Sequence, residues 1–225
     1  MRRSVSRWVV VSAATTGLAL TFVFVALADK EPVHLTAADQ AFARAAVVKR
    51  ADLGTVGTWT GGAVKPDLSS SFPCGSTFQP KQSDLLLTGA AETVFSQPGI
   101  SFDSEAEVLK TPQMVKLDWQ RTVVAPQVLP CLRIGFAKTA TASTRFVSIR
   151  RIAFPRVAQY TYALRALFDV KSTATGTTRV FVDVVLLGRG RSELSLTTTA
   201  PFVADASVRV AEARLALIMA ARARA

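Results

Sequence analysis

The second half of the chain contains four β-rich runs separated by short connections, and this pattern most constrains what the chain can fold into. The runs are rich in β-branched and aromatic residues, which favour strands. Connections this short join antiparallel neighbours, because a parallel crossover needs a dozen or more residues. We therefore predict a four-stranded antiparallel meander with strands at Arg145–Phe154, Ala158–Asp169, Thr178–Leu187 and Arg191–Thr199.

Charged and apolar residues together predict the register of the second and third strands. Pairing around the Lys171–Thr177 connection sets Arg165 opposite Asp183 and Asp169 opposite Arg179. Cross-strand ion pairs of this kind stabilise a sheet by about 0.2–1 kcal/mol each. On the other face the same register pairs apolar residues only, namely Leu164 with Val184, Ala166 with Val182 and Tyr162 with Leu186.

The Gly188–Gly190 turn leads into the last strand of the meander. A register around this turn that pairs Val184 with Leu194 and Val182 with Leu196 continues the same dry face across three strands. The register at Pro155 stays open.

A separate hairpin is predicted in the first half, with its turn at Ser96–Gly99. The flanking runs alternate in polarity, as half-buried strands do. A register that pairs Val94 with Phe102 and Ala90 with Ala106 keeps one side of this hairpin dry.

Three acids, Asp103, Glu105 and Glu107, share the opposite face of that hairpin. Alternating charge on a strand is typical of a solvent-exposed face. An alternative is a carboxylate pair for catalysis, because side chains that follow one another on a strand face lie roughly 6.5–7 Å apart, within the range of inverting glycosidases.

Helix starts are indicated at Thr36, Thr111 and Asp205, and stops at Gly54 and Pro126. The order of elements is then helix, hairpin, helix, four-stranded meander and helix. Antiparallel strands with helices segregated to one face form an α+β sandwich, which is the fold class we predict.

The first 28 residues have the parts of an export segment. Arginines precede an apolar stretch at residues 8–27, and Ala26-Leu27-Ala28 follows as an A-x-A site. A cleaved signal peptide and an uncleaved membrane anchor both remain open, since the stretch is just long enough to span a bilayer. Either way the folded part is expected outside the cytoplasm, with a short linker at 29–35 and a single α+β domain at 36–225.

Cys74 and Cys131 are the two cysteines of the chain, and the second is expected in the connection after the middle helix or in that helix's last turn. In an oxidising compartment two lone cysteines are expected to pair. Such a disulfide would add about 4 kcal/mol in the chain-entropy treatment. The alternatives are free thiols or metal ligands, and two cysteines without nearby histidines make a poor metal site.

Several chemistries lack the residues they need. The single histidine, His34, stands before the first helix, and no triad or multi-histidine metal site is expected. The chain has no phosphate-binding or dinucleotide-binding glycine motif and no C-x-x-C. We therefore expect no cofactor, no metal and no catalytic residue. The net charge of +11 suits anionic lipid or wall polymer, and we expect no nucleic-acid partner.

A candidate groove for an anionic ligand combines three arginines with two tyrosines of the meander: Arg150, Arg151, Tyr160, Tyr162 and Arg165. The alternative is a row of core tyrosines behind a charged outer face.

Loose motifs of the chain follow a distinctive order. They are Cys74-Gly75, the run from Asp84 to Phe95, Ser101–Val108, Cys131-Leu132, and Val180–Leu187 turning through Gly188-Arg189-Gly190. In this order, over residues 36–223, they resemble the PknH-like extracellular sensor domains of actinobacterial envelope proteins. The resemblance implies a PsbP-like α+β sandwich and a binding or sensing role. Such domains commonly carry two disulfides, whereas this chain can form one, and no functional residue transfers.

The sequence thus favours a non-catalytic, extracytoplasmic ligand-binding or sensor-like domain. Its partner would be a small molecule or an envelope component, and the membrane itself through residues 8–27 if these are not removed. The rival hypotheses are an envelope carbohydrate-active enzyme that uses the carboxylates, and an assembly protein that makes contacts through its sheet edge.

Overall fold

The fold is an antiparallel sheet with helices, as a computed structural model that describes residues 30–55, 57–68, 77–172 and 176–223 shows. The helices are α1 (Ala37–Ala46), α2 (Pro112–Thr122), α3 (Val128–Lys138) and α4 (Asp205–Arg222), with 3-10 turns at Arg50–Leu53 and Phe202–Ala204. The strands are β1 (Thr60–Val64), β2 (Leu87–Gln97), β3 (Ile100–Leu109), β4 (Thr144–Arg151), β5 (Tyr160–Ser172), β6 (Gly176–Arg189) and β7 (Ser192–Pro201). Their order in the sheet is β1-β2-β3-β7-β6-β5-β4. The predicted α+β class is confirmed.

The predicted register between β5 and β6 is also confirmed. Arg165 lies opposite Asp183, Asp169 lies opposite Arg179, and Leu164 lies opposite Val184. Because facing residues share a face of the sheet, the charged pairs and the apolar pairs separate onto opposite sides of these two strands.

The predicted register between β6 and β7 is wrong by three residues. Val184 lies opposite Thr197, and Leu194 lies opposite Leu187. The turn consists of Gly190 and Arg191, with Arg189 opposite Ser192, so β6 runs further than the glycines suggested. An odd shift moves every side chain to the other face, and Leu194 therefore packs on the side opposite to the one predicted.

The β2–β3 hairpin register is wrong by one residue. Phe102 lies opposite Phe95 rather than Val94, and Ala106 lies opposite Ala91 rather than Ala90. A two-residue turn at Pro98 and Gly99, with a positive φ of 81° at the glycine, sets this pairing. The even-numbered side chains of β2 therefore lie on the face of the acids of β3.

Helices cover both faces of the sheet, whereas one face was predicted. On one side α1 and α4 pack Ala43 and Leu215 against residues that include Val185. On the other side α2 and α3 pack Trp119 and Phe136 against residues that include Val184. The continuous apolar run of β6 explains this, because a strand without alternation is buried on both faces.

Two of the predicted helix starts have the expected cap. Thr36 Oγ1 accepts a hydrogen bond from the Asp39 backbone N–H at 3.2 Å, and Thr111 Oγ1 accepts one from Met114 N–H at 3.2 Å. Asp205 begins α4, but its carboxylate binds Arg165 and caps no backbone N–H. Helix α3 was not predicted, and Cys131 lies within it rather than in a connection or in the last turn of the middle helix. Pro130 is compatible with α3 because it lies in the first turn, where a helix needs no N–H.

The export segment and Cys74 lie outside the described residues. The predicted signal peptide or anchor, its cleavage site and the Cys74–Cys131 pair therefore stay predictions. Cys131 is on α3, buried against Phe78. Within the described ranges, no helix combines the length and the apolar character needed to cross a bilayer.

The predicted disulfide has a direct test. Intact chain isolated from the envelope should gain the mass of two hydrogens on reduction, and reduction should lower the free energy of unfolding by about 2–4 kcal/mol. The control is the Cys131→Ser variant, whose mass should not respond to a reductant. Alkylation of the unfolded, unreduced chain at both cysteines would contradict the pairing.

Candidate functional site

The five residues predicted to line an anionic groove lie on two faces of the sheet. Arg151 stacks over the ring of Tyr162, 4.9 Å from its centroid, and Tyr160 stacks on Trp119 with 5.3 Å between centroids. Arg150 lies opposite Arg165 in β4, and both project to the other face, which α4 covers. The five therefore do not form one binding surface.

Arg165 is a buried structural arginine. Its Nε and Nη2 donate to the two carboxylate oxygens of Asp183 at 2.6 Å each, and Nη2 also donates to Asp205 at 2.7 Å. Burial lowers the pKa of Arg165, but the bonds and charges of these two acids outweigh it and raise that pKa. The arginine holds the first turn of α4 against β5 and β6.

The other predicted ion pair between β5 and β6, Asp169 with Arg179, lies near the solvent. Arg179 Nε donates to Asp169 at 2.8 Å, and Arg145 from β4 binds the other oxygen of that carboxylate. These hydrogen bonds lower the pKa of Asp169. The cluster fastens the β4 edge of the sheet.

Two of the three acids of β3, Glu105 and Glu107, are buried, whereas Asp103 is partly exposed, which corrects the expectation of a solvent-exposed face. Glu105 lies opposite Glu92, and Glu107 lies opposite Glu193, all with side chains at most 5% exposed. Asp118 from α2 lies over the same face and accepts a hydrogen bond from Gln82 Nε2 at 3.0 Å. We call these five buried carboxyl groups the acid cluster.

Burial changes the pKa of two members of the acid cluster, Glu105 and Glu193. It raises the pKa of Glu105 well above its usual value, and the neighbouring charge of Glu107 adds to this. It does the same for Glu193, with Asp118 adding to the effect. Nowhere in the described ranges do three carboxylate, histidine or cysteine side chains converge closely enough to hold a metal ion.

An open pocket of about 720 Å³ lies where the β6–β7 turn meets the start of α1 and the end of α4. Its polar side carries Arg156, Arg189 and Arg191, and its apolar side includes Phe42 and Val157. We call it the arginine pocket. None of the five residues of the acid cluster lines it.

Arg191 lines the arginine pocket and is held in place by hydrogen bonds to two other segments. Its Nη2 donates to Asp39 Oδ2 at 2.6 Å, and its Nε donates to the carbonyl of Leu109 at 2.9 Å. Burial alone would raise the pKa of Asp39, but hydrogen bonds from Thr88 and Arg191 lower it. Gly89 of β2 lets the start of α1 lie this close to the sheet, because a Cβ at that position would lie 2.3 Å from the Asp39 carbonyl oxygen.

The other two arginines of the pocket keep their charge available. Arg156 reaches only the carbonyl of Gln159, at 3.4 Å, and Arg189 has no hydrogen-bond or ion-pair partner within the described part of the chain. Among the described residues of the wall, Asp39 is the one acid, and it is bound to Arg191. The pocket therefore offers two unneutralised guanidinium groups beside an apolar surface.

Sequence reasoning did not single out this pocket. The sequence pattern predicts a hairpin turn at Gly188-Arg189-Gly190, and arginines flank the last of these glycines. Asp39 and Arg191 are 152 residues apart in the chain, so their contact is invisible in the sequence. The one available signal was the pair of arginines at a turn, Arg189 and Arg191.

The comparisons with known proteins do not assign this chain to a family. No family model matches the chain, and no curated protein matches its sequence. Similar solved structures include an uncharacterized Mycobacterium smegmatis protein (12% identity, TM-score 0.40, 80% of this chain and 98% of that chain). Another is the extracellular domain of PknH from Mycobacterium tuberculosis (8% identity, TM-score 0.43, 80% and 95%). A third is LpqN of the same organism, described as involved in cell envelope biogenesis (13% identity, TM-score 0.30, 72% and 83%). All three TM-scores are below 0.5, so neither a family nor a ligand of this chain follows from them, and the resemblance to PknH-like domains stays a prediction.

Proposed function

We propose that this chain is an exported, non-catalytic ligand-binding domain of the cell envelope, and that the arginine pocket holds its ligand. The observation that carries the proposal is the pairing of two available guanidinium groups, on Arg156 and Arg189, with an apolar wall. A pocket of this kind suits a ligand with an anionic group next to an apolar body, because guanidinium binds carboxylate and phosphate oxygens in pairs. The export segment predicted at residues 1–28 supports the location.

The rival enzyme hypothesis fits the geometry less well. Glycoside hydrolysis needs two carboxyl groups that both reach the substrate. Glu105 and Glu107 are buried beneath α2 and lie outside the arginine pocket. Binding without turnover is therefore the function that the described geometry supports best.

The rival assembly hypothesis relies on strand addition at a sheet edge. The β4 edge carries Arg145, Arg150 and Arg151, all exposed. Charged side chains on an edge strand oppose pairing with another chain. This edge therefore does not favour assembly through the sheet.

The proposal has a test with two fluorescent probes of similar shape. The anionic probe 1-anilinonaphthalene-8-sulfonate should bind the full chain more tightly than the neutral N-phenyl-1-naphthylamine. Arg189→Ala should weaken binding of the anionic probe about tenfold, because a charge-assisted hydrogen bond is lost. Titration by fluorescence, with circular dichroism to verify the fold, measures both effects.

The matched control is Arg133→Ala, since Arg133 is exposed on α3 and does not line the pocket. It should leave the affinity for the anionic probe unchanged. Equal affinity of all three proteins, or equal affinity for both probes, would contradict the proposal. A natural ligand can then be identified by mass spectrometry of protein isolated from its own envelope.

A further inference from the structure

Helix α4 carries a row of exposed apolar side chains on the face turned away from the sheet. Val210 and Leu217 lie two helical turns apart on α4, and Val203 lies seven residues before Val210, in the 3-10 turn that leads into the helix. Their exposed fractions are 96%, 72% and 49%, and that of Phe202 beside them is 44%. We call Val203, Val210 and Leu217 the outer row.

Small apolar residues widen the outer row. Ala206 and Ala221 are exposed beside it, and Ala213 is half-buried. Single exposed apolar residues are ordinary, but a continuous patch marks a surface that meets another apolar phase or partner. The row continues past the helix start into the 3-10 turn at Phe202–Ala204, so it is not limited to one helical seam.

The charges that α4 turns outward are positive. Arg214 is exposed and has no partner within the described residues, and Arg209 flanks the row and donates to the carbonyl of Ala153 at 2.7 Å. The two acids of the helix do not face outward, because Asp205 is bound to Arg165 and Glu212 is fully buried. The outer surface of α4 therefore combines apolar side chains with the exposed charge of Arg214, which pairs with neither acid of the helix.

We propose that the outer row of α4 lies on a membrane that contains anionic lipid, with Val203, Val210 and Leu217 at the boundary of headgroups and acyl chains. Helices that rest on a membrane surface have this combination of apolar and basic side chains. Arg214 would bind lipid phosphate groups, since each arginine near an anionic leaflet adds to the attraction.

Charge also favours anionic lipid over a second copy of the chain as the partner of the outer row. Pairing two α4 faces would bring Arg214 of each copy to the same interface, with no outward acid to compensate. Lipid phosphate supplies the missing negative charge. The proposal is independent of the arginine pocket, because the outer row does not line it.

The test uses the full chain in vesicles and a photoreactive residue, benzoylphenylalanine, in place of Val210. An apolar segment at residues 8–27 would insert into any vesicle, so the readout is cross-linking at position 210 and not binding as such. We expect the yield of lipid adduct to be about fivefold higher in vesicles of phosphatidylglycerol and phosphatidylcholine than in phosphatidylcholine alone. Mass spectrometry identifies the adduct.

The positional control is benzoylphenylalanine in place of Ile134, which is 45% exposed on α3. It should give little lipid adduct in either vesicle. The charge control compares Arg214→Glu, expected to lower the adduct at position 210 about fivefold, with Arg133→Glu, expected to change nothing.

Three results would overturn the proposal. One is a lipid yield at position 210 no higher than at position 134. Another is a yield that does not depend on anionic lipid. The third is an adduct at position 210 with a second copy of the chain or with another protein in place of lipid.

Discussion

Replacing Arg165 by methionine is expected to lower the free energy of unfolding by about 3–5 kcal/mol. The side chain is 3% exposed, and its loss would leave the Asp183 carboxylate, which is fully buried, without its counter-charge. The start of α4 would also lose its bond to the sheet through Asp205. At about 2–4 °C per kcal/mol for a domain of this size, the melting temperature should fall by roughly 6–20 °C.

The matched control is Arg179→Met, which removes the other cross-strand arginine of the same two strands. That side chain is 47% exposed, and exposed pairs contribute at most about 1 kcal/mol. A double variant, Arg165→Met with Asp183→Leu, should recover part of the loss because no buried charge is left unpaired. Equal effects of Arg165→Met and Arg179→Met would show that the bonds of Arg165 to Asp183 and Asp205 are not a main support of α4.

Replacing Glu212 by glutamine is expected to remove a pH dependence of stability. Burial raises the pKa of Glu212 to about 8, and the negative charge of Asp183 adds to this. The folded protein therefore holds a proton on Glu212 that the unfolded chain releases at its ordinary pKa of 4.5. The contribution of this group is fully present below that value and is lost as the pH rises through about 8.

The measurement is chemical unfolding of both proteins at pH 5 and pH 9. Relative to the wild type, the Glu212→Gln variant should gain about 2–5 kcal/mol between these two values. Comparing the two proteins removes the contribution of Glu105 and Glu193, which is common to both.

The control for this experiment is Asp84→Asn. Hydrogen bonds from Arg121 lower the pKa of Asp84 to about 2, so this carboxyl stays charged from pH 5 to pH 9. Its removal should not change the slope of stability with pH in that range. A Glu212→Gln variant that follows the wild-type slope would mean that Glu212 is already ionised in the folded protein at pH 5.

The β5–β6 register was predictable because it carries its own check. Two opposite-charge pairs, one at Arg165 and one at Asp169, arise from a single alignment, and the apolar pairs agree with it. No charged pairs support a particular register between β6 and β7. Gly188 and Gly190 suggested a turn over 188–190, whereas the turn consists of Gly190 and Arg191. Gly188 belongs to the strand, where a Cβ would lie 2.8 Å from Tyr160 Cδ2, so it serves packing and not the turn.

The sequence did not predict which residues surround Glu105 and Glu107. Alternation along β3 correctly places Glu105 and Glu107 on one face, but it does not reveal what covers that face. Their neighbours across the sheet, Glu92 and Glu193, come from β2 and β7. A register error of one residue in the hairpin was enough to hide the first of these contacts.

The arginine pocket could not be predicted from the sequence for a related reason. It exists because the β6–β7 turn, the start of α1 and the end of α4 converge, and each contributes a few ordinary residues. Arg189 and Arg191 were visible at the turn, whereas Asp39 and Phe42 gave no sign that they would face them. A site assembled from separated segments leaves no motif in the sequence.

Strand β6 contains positions where few substitutions fit, and it ends at a position where more of them fit. From Val180 to Gly188 every residue is buried, since helices cover both sides of the strand. Mutations there are constrained by two cores at once, whereas Arg189 just beyond is partly exposed and faces the pocket. Natural selection could therefore alter which ligand is held by substitutions at the rim of the sheet, while its centre stays the same.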